Sequence, residues 1–231
     1  MNKQKSIILI ITILLILCPC CSLLTMKPVD TGNVLETGII AIKNGNGTSY
    51  LVGIEEGYVL FDAGTDAEKF ESSLNDIGID PEQILWVFLT HSDSDHVAAL
   101  KILPNAKIFM GMEEIDLVTG KAKRSMFFTN KMPENVDLSQ INLLTDGQEL
   151  DFDEIYVKCI AAPGHTHGSM AYLINDKYLI TGDAFKVSGG NLGVHPFTMD
   201  SNESKKTIEK LRNIVNSSQI VLTSHYGIIK N

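Results

Sequence analysis

The stretch Gln83 to Thr90, QILWVFLT, carries no charged side chain and is too apolar for a strand with one face in water. A strand of that composition belongs in the middle of a sheet covered on both faces, so the chain must build a layered α/β architecture with something stacked on each side. The strand runs into LTHSDSDHVA, where His91, Asp93, Asp95 and His96 fall within six positions. A polar cluster directly after a buried strand is either an ordinary solvated loop or one half of a metal site. The rest of the chain has to decide which.

From about Asn33 onward, short strand patterns alternate with helical ones, without a low-complexity stretch or long linker, so residues 25–231 read as one domain. The segment SYLVGIEEGYVLFDAG reads as a hairpin turning around Glu55 to Gly57. Thr65 and Glu68 have the spacing of a capping box for a helix carrying Phe70 and Leu74, which Gly78 closes. A helix from about Asp95 to Leu103, a strand at AKIFMG and a short helix near Glu113 to Val118 are expected next. The polar, Lys-rich stretch 121–137 reads as a flap or rim loop, with Phe127, Phe128 and Met132 either covering an apolar substrate or packing the loop down. Strands resume at INLL and IYVKCIAA. A second hairpin, AYLINDKYLITGDAF, echoes the first: Tyr50-Leu51-Val52 matches Tyr172-Leu173-Ile174, Tyr58-Val59-Leu60 matches Tyr178-Leu179-Ile180, and an aspartate follows each, Asp62 and Asp183. The match suggests two similar halves. A last helix from Asp200 or Ser201, with Glu203 as capping partner and Ile208, Leu211 and Val215 as its stripe, precedes the strand QIVLTSH.

The first 24 residues stand apart from the fold. Lys3 and Lys5 precede an apolar run from Ile7 to Leu17 and then CPCCSLL, the layout of an export signal. Three readings are open: a cleaved signal peptide, an uncleaved membrane anchor, or a lipoprotein signal with Cys20 or Cys21 acylated. Anchoring at the membrane ranks above free secretion. Cleavage would leave Cys159 as the single cysteine, with no internal disulfide possible, and its apolar surroundings make it a small buried hydrophobe rather than a nucleophile. The net charge of −9 repels phosphate backbones, so no nucleic-acid partner is expected and a small-molecule substrate fits better.

Of six histidines, His91 and His96 follow the strand ending at Thr90, His165 follows IAAPG and His225 follows VLTS, while Asp183 follows YLITG. All lie at the carboxyl ends of strands, where open α/β folds gather ligands. Within the opening motif, an extended backbone would point His91, Asp93 and Asp95 one way and let His96 turn in from a helix start. Four ligands in six residues crowd one ion and suit two. A calcium loop is excluded by the missing glycine and twelfth-position glutamate. His167 has no assigned role, and His195, in a loop bordering the cleft, is a candidate for touching substrate.

The segment THSDSDH resembles the His-x-His-x-Asp-His signature of the metallo-β-lactamase superfamily, and PGHTHGS, TGDAF, TSHYG and VLFDAGTD are similar to its other motifs in order. The resemblance spans about Gly38 to Gly227 and implies an α/β (α+β) fold, a four-layer αββα sandwich, with a dinuclear site at one edge. Carried across by position, His91, Asp93 and His165 would hold one divalent metal ion, Asp95, His96 and His225 a second, and Asp183 would bridge them. Asp62 would orient ligands, and Asp95 would also act catalytically. Zinc is the family's usual metal. Asp93 stands where the signature has histidine, and this harder ligand leaves manganese or iron open, or else leaves the first site weak. Three aspartates and a hydroxide balance two divalent ions, and a bound ion brings its water's pKa to about 7.

The resemblance thus implies hydrolysis of a small ester, thioester, lactone or lactam. A phosphodiesterase is the second enzyme reading. A di-iron redox or sensing module and a non-catalytic binding module remain as alternatives from other classes.

Overall fold

The computed structural model describes residues 26–35, 37–125, 129–152 and 154–231. The export or anchor segment 1–24, and with it the localisation reading, lies outside the described residues, as do Phe127 and Phe128. Among the described residues no helix is long and apolar enough to cross a membrane.

Seven strands form the first sheet in chain order: β1 (Gly32–Asn33), β2 (Ile39–Asn44), β3 (Gly47–Ile54), β4 (Gly57–Phe61), β5 (Ile84–Phe88), β6 (Lys107–Gly111) and β7 (Asn142–Leu144). Pairing is antiparallel from β1 to β4 and parallel from β4 to β7. The apolar strand β5 is thus central, between β4 and β6. The second sheet begins with β8 (Glu149–Asp151), β9 (Tyr156–Ala161), β10 (Met170–Ile174) and β11 (Tyr178–Gly182). A small ribbon, β12 (Lys186–Ser188) with β13 (Asn191–Gly193), leaves the sheet. The chain returns through a long helix to β14 (Ile220–Thr223), parallel to β11, and closes with β15 (Ile228–Lys230).

Period-two alternation sorts the side chains into three cores, and three cores separate four layers. Val59, Phe61 and Phe88 from the first sheet meet Met170, Tyr172, Ile180 and Leu222 from the second. The intervening residues Leu60, Val87 and Leu89 turn outward against Phe70 and Leu74 of α1 (Ala67–Asp76) and against Val97 and Leu100 of α2 (Ser94–Val97) and the 3-10 turns to Ile102 that extend it. On the far face, Ala171, Leu179 and Val221 pack on Ile208, Leu211 and Val215, after the short α3 (Ile115–Val118) in chain order, of α4 (Ser201–Ser217). The molecule is a four-layer αββα sandwich.

Local details depart from the sequence expectation in three places. The cap of α1 is Asp66, which accepts from the backbone N–H groups of Glu68 and Lys69. Thr65 is unavailable for that role because its hydroxyl bonds to the Asn44 carbonyl and its own N–H to the Asn44 side chain. The helix expected from Asp95 begins at Ser94 and tightens to a 3-10 helix at Ala98. At Asp200, which caps α4 by accepting from the N–H groups of Asn202 and Glu203, the Glu203 carboxylate turns away to pair with Lys206.

The two hairpins differ by one residue in their turns. Ile54 pairs with Gly57 across two turn residues, whereas Ile174 pairs with Tyr178 across three, of which Asn175 and Asp176 have positive φ. The equivalent tyrosines are both buried between the sheets and both reach across. The Tyr50 hydroxyl donates to the carbonyl of Thr223 at 2.8 Å, and the Tyr172 hydroxyl to the carbonyl of Leu89 at 2.6 Å.

Phe88 is fully buried and touches Phe61, Phe109, Phe152 and Tyr172 at centroid distances of 4.8–5.9 Å. Phe88→Ala is expected to cost about 3–5 kcal/mol in denaturant unfolding; a loss under about 1 kcal/mol means this cluster is not the core. Burial pushes the Cys159 thiol up to about 12, so iodoacetamide at pH 8 should spare Cys159 in native protein and label it after denaturation, read by peptide mass mapping.

Candidate metal centre

All the candidate ligands singled out in the sequence arrive at one edge of the sandwich because the strands that carry them end there. His91 follows β5, His165 follows β9, Asp183 follows β11 and His225 follows β14. The two sheets touch at this edge through Gly182, where a Cβ would lie 2.3 Å from the Thr90 hydroxyl; its φ of +50° also favours glycine. Asp93 sits at the N-cap position of α2, and Asp95 and His96 lie within that helix, so the extended alternation stops at Asp93. Helical geometry therefore splits the motif: Asp93 stays with His91, and Asp95 turns toward His96.

The ring nitrogens disclose how each imidazole is set. His96 Nδ1 lies 2.9 Å from Asp62 Oδ2, His225 Nδ1 2.7 Å from the Asn46 carbonyl, and His195 Nδ1 2.7 Å from the Pro196 carbonyl. His91 Nδ1 lies 3.1 Å from the Thr90 hydroxyl, which itself donates to Asp62. These partners accept, so Nδ1 carries a proton in each and Nε2 is the nitrogen left facing the cluster. The Nε2 atoms of His91, His96 and His195, and Oδ1 of Asp183, are buried without a hydrogen bond. Buried polar atoms left this way normally require a partner, and imidazoles anchored by Nδ1 with Nε2 presented inward are the arrangement of metal ligands. The donor set fits cations.

The donors form two sets. His91, Asp93 and His165 have ligand atoms within 4.8 Å of one another, as do Asp95, His96 and His225. Asp183 stands between, its Oδ2 4.0 Å from His91 Nε2, 3.5 Å from His165 Nε2 and 3.8 Å from His96 Nε2, and its Oδ1 3.3 Å from His225 Nε2. Burial works against the Asp183 charge, yet the imidazoles of His195, His225 and His96 hold its carboxyl well below the usual range. The reverse field acts on His96, where burial is outweighed by Asp62, Asp95 and Asp183 and the pKa is pushed up to about 10. This edge attracts positive charge strongly.

Three residues that shape the site escaped the sequence reading, and a fourth, His195, was expected only as a candidate substrate contact. Arg124, from the 121–137 stretch, places Nε 2.8 Å from Asp93 Oδ1 and Nη2 2.9 Å from Asp93 Oδ2. Its Nη2 also lies 3.0 Å from His165 Nε2, a nitrogen that burial keeps neutral by lowering its pKa to about 4. Asn130 donates to Asp93 Oδ1 at 3.0 Å. Glu114, fully buried, accepts from the Ser92 N–H at 2.8 Å, from the Thr166 hydroxyl at 2.6 Å and from the Gly168 N–H at 3.2 Å, and so ties the His91 loop to the His165 loop. His195 lies inside the cluster, 3.5 Å from Asp183 Oδ2. The charge balance of three aspartates thus includes a guanidinium that the motifs did not announce. His167 is exposed and outside the cluster.

Asp62 accepts from the Thr90 N–H at 2.8 Å, the Thr90 hydroxyl and His96 Nδ1, so it fixes both the motif loop and one ring. Asp62→Ala should weaken cation binding on the order of 10–100-fold, measured by competition with a chromogenic chelator; unchanged affinity would remove Asp62 from the centre.

Residues 42–219 match the sequence profile of the metallo-beta-lactamase superfamily. The chain is 30% identical to YobT of Bacillus subtilis over 61% of its own length and 63% of that protein's. To a probable polyketide biosynthesis zinc-dependent hydrolase of Bacillus velezensis it is 28% identical, over 57% and 51% of the respective chains. The matched region therefore spans about half to two thirds of these relatives. Among solved structures, a B3 metallo-beta-lactamase with an active-site glutamic acid superposes with a TM-score of 0.68 at 18% identity, covering 93% of this chain and 88% of that one. Profile, fold and the ligand-bearing strand ends lead to one conclusion: the chain belongs to the metallo-beta-lactamase superfamily.

Proposed function

We propose that this chain is a metal-dependent hydrolase of a small ester, thioester, lactone or lactam, with zinc as its cation and His91, Asp93, His165 and Asp95, His96, His225 as two ligand sets flanking Asp183. The observation that carries the reading is the inward row of imidazole Nε2 atoms, buried without hydrogen bonds around one buried carboxylate. The relative named as a zinc-dependent hydrolase supports both the metal and the reaction class.

When bound, divalent cations at such a centre supply an ionised water near neutral pH and polarise the scissile carbonyl. The chain's own groups do the rest. Asp183 directs its two oxygens to different imidazoles and so sets the separation of the two ligand sets. Asp95 is the most open of the three carboxylates, with 38% of its side chain exposed against 20% for Asp93 and 4% for Asp183. It borders the cavity, where it can accept a hydrogen bond from the attacking water and orient it. Burial raises its pKa, but His96 and His225 more than offset this and hold it well below the usual carboxylate range, ready as an acceptor. The cavity, about 570 Å³, suits a small molecule and is walled by Phe197 and Met26 as well as by Asn46, Asn130 and Lys131. Phe197, 58% exposed, gives an apolar surface for an acyl chain.

A phosphodiesterase is the second reading, favoured by Arg124 and Lys131 in the cavity wall and opposed by the net charge of −9. Elemental analysis of the purified chain, with a panel of ester, thioester, lactone, lactam and phosphodiester substrates, separates the two. Carbonyl-substrate turnover with bound zinc is expected. Turnover of phosphodiesters alone transfers the assignment to the second reading, and absence of any metal overturns both. Asp183→Asn should abolish metal retention and turnover together, and a variant that keeps both removes Asp183 from its place between the sets.

A further inference from the structure

We infer that His195 is a metal ligand, supplying the third imidazole of the site that the motif, with Asp93 in place of a histidine, leaves incomplete; this rests on the metallo-hydrolase reading and deepens it. Three imidazole nitrogens surround Asp183 Oδ2: His91 Nε2 at 4.0 Å, His165 Nε2 at 3.5 Å and His195 Nε2 at 3.5 Å. Tetrahedral coordination with bonds of about 2.0–2.1 Å places its donors roughly 3.3–3.4 Å apart. The distances from Asp183 Oδ2 to His165 and His195 come within about 0.2 Å of that spacing, the one to His91 is longer, and the donor atoms of His165, Asp183 and His195 all lie within 4.8 Å of one another.

Two groups compete for the last corner. Asp93 Oδ2 also has the right spacing, 3.2 Å from His165 Nε2 and 3.5 Å from His91 Nε2. Its carboxylate is already committed, however, to a two-pronged bond with Arg124 and a further bond from Asn130. Such a fork is among the stronger pairings a carboxylate makes. His195 Nε2 is 4% exposed as a residue and has no hydrogen bond, so its lone pair is uncommitted. Its Nδ1 is anchored to a carbonyl just as that of His225 is.

The loop holds the ring there. The Thr198 hydroxyl donates to the His195 carbonyl at 2.7 Å, and the Met199 N–H donates to the His165 carbonyl at 3.1 Å, joining this loop to a ligand loop. Between them Phe197 adopts a φ of +61°, a left-handed conformation that bulky side chains avoid and that persists only where the surroundings impose it. On this inference Asp93 leaves the first ligand set named above and forms a neutral pair with Arg124 beside the centre, and His195 takes its place as the missing imidazole.

Cobalt(II) is the probe. In the cobalt-loaded full chain each histidine bound through Nε2 contributes one exchangeable, hyperfine-shifted Nδ1–H resonance in proton NMR, lost in heavy water. Five are expected, from His91, His96, His165, His195 and His225, and H195Q should show four. Calorimetric titration of H195Q with zinc should weaken one equivalent by at least about tenfold and leave the other unchanged. Four resonances in the parent chain, with H195Q binding two equivalents as the parent does, would overturn the assignment while leaving the hydrolase reading standing. If neither protein takes up cobalt or zinc, the hydrolase reading itself fails and this inference with it. The count in the parent chain does not depend on whether the variant folds.

Discussion

A carboxylate buried at the meeting point of two sheets must be surrounded by groups that tolerate its charge, or the fold loses more free energy there than one hydrogen bond can return. Asp183 is 5% exposed, and the architecture around it is arranged to meet that demand. Imidazoles from β5, β9 and β14, from α2 and from the loop after β13 converge on its two oxygens. Each is oriented by a bond on its far nitrogen, apart from His165, whose Nδ1 is buried without one. Convergence of this kind needs strand ends at one edge, and strand ends coincide only if the sheets are stacked in register. The placement of one anion and the layering of the whole chain are therefore the same constraint seen at two scales.

What keeps the edge in register lies just behind the ligands. Asp62 grips Thr90 and His96 from the first sheet, and Gly182 lets the end of β11 come against Thr90 where any larger residue would collide. Glu114 joins the loops of His91 and His165 from below. Gly168 is part of that packing, since a Cβ there would sit 2.1 Å from the Glu114 backbone nitrogen. These contacts cost the chain its freedom to substitute small residues at the edge, and they hold ligands that four separate loops would otherwise place loosely.

The layers and the convergence were legible in the sequence because they rest on patterns with a fixed period. QILWVFLT could only be a covered strand, and the alternation in the two hairpins fixed which faces pack. The candidate ligands His91, Asp93, His165, Asp95, His96, Asp183 and His225 stood out because they follow apolar runs. Arg124 did not, since a lone cation in a Lys-rich loop looks solvated and only the path of the loop brings it to Asp93. Glu114 was hidden as one of two adjacent glutamates in a short helical segment, and nothing in the sequence says which one is buried. His195 follows the small ribbon rather than a sheet strand, so the rule that found the others passed it by. The cap at Asp66 was missed for a different reason: a side chain 21 residues away, Asn44, had already claimed Thr65.

The paired tyrosines give the duplicated hairpins a meaning beyond likeness. Tyr50 belongs to the first half and finds its acceptor at the end of β14, while Tyr172 belongs to the second and finds its acceptor just past β5. Each phenol would lose both its acceptor and its cover if its own half stood alone, because the opposite sheet supplies the two together. Severing the polypeptide between β7 and β8 would thus yield two fragments that each lack what the other carries. The two halves are reciprocal, each supplying the acceptor that the other's buried tyrosine needs.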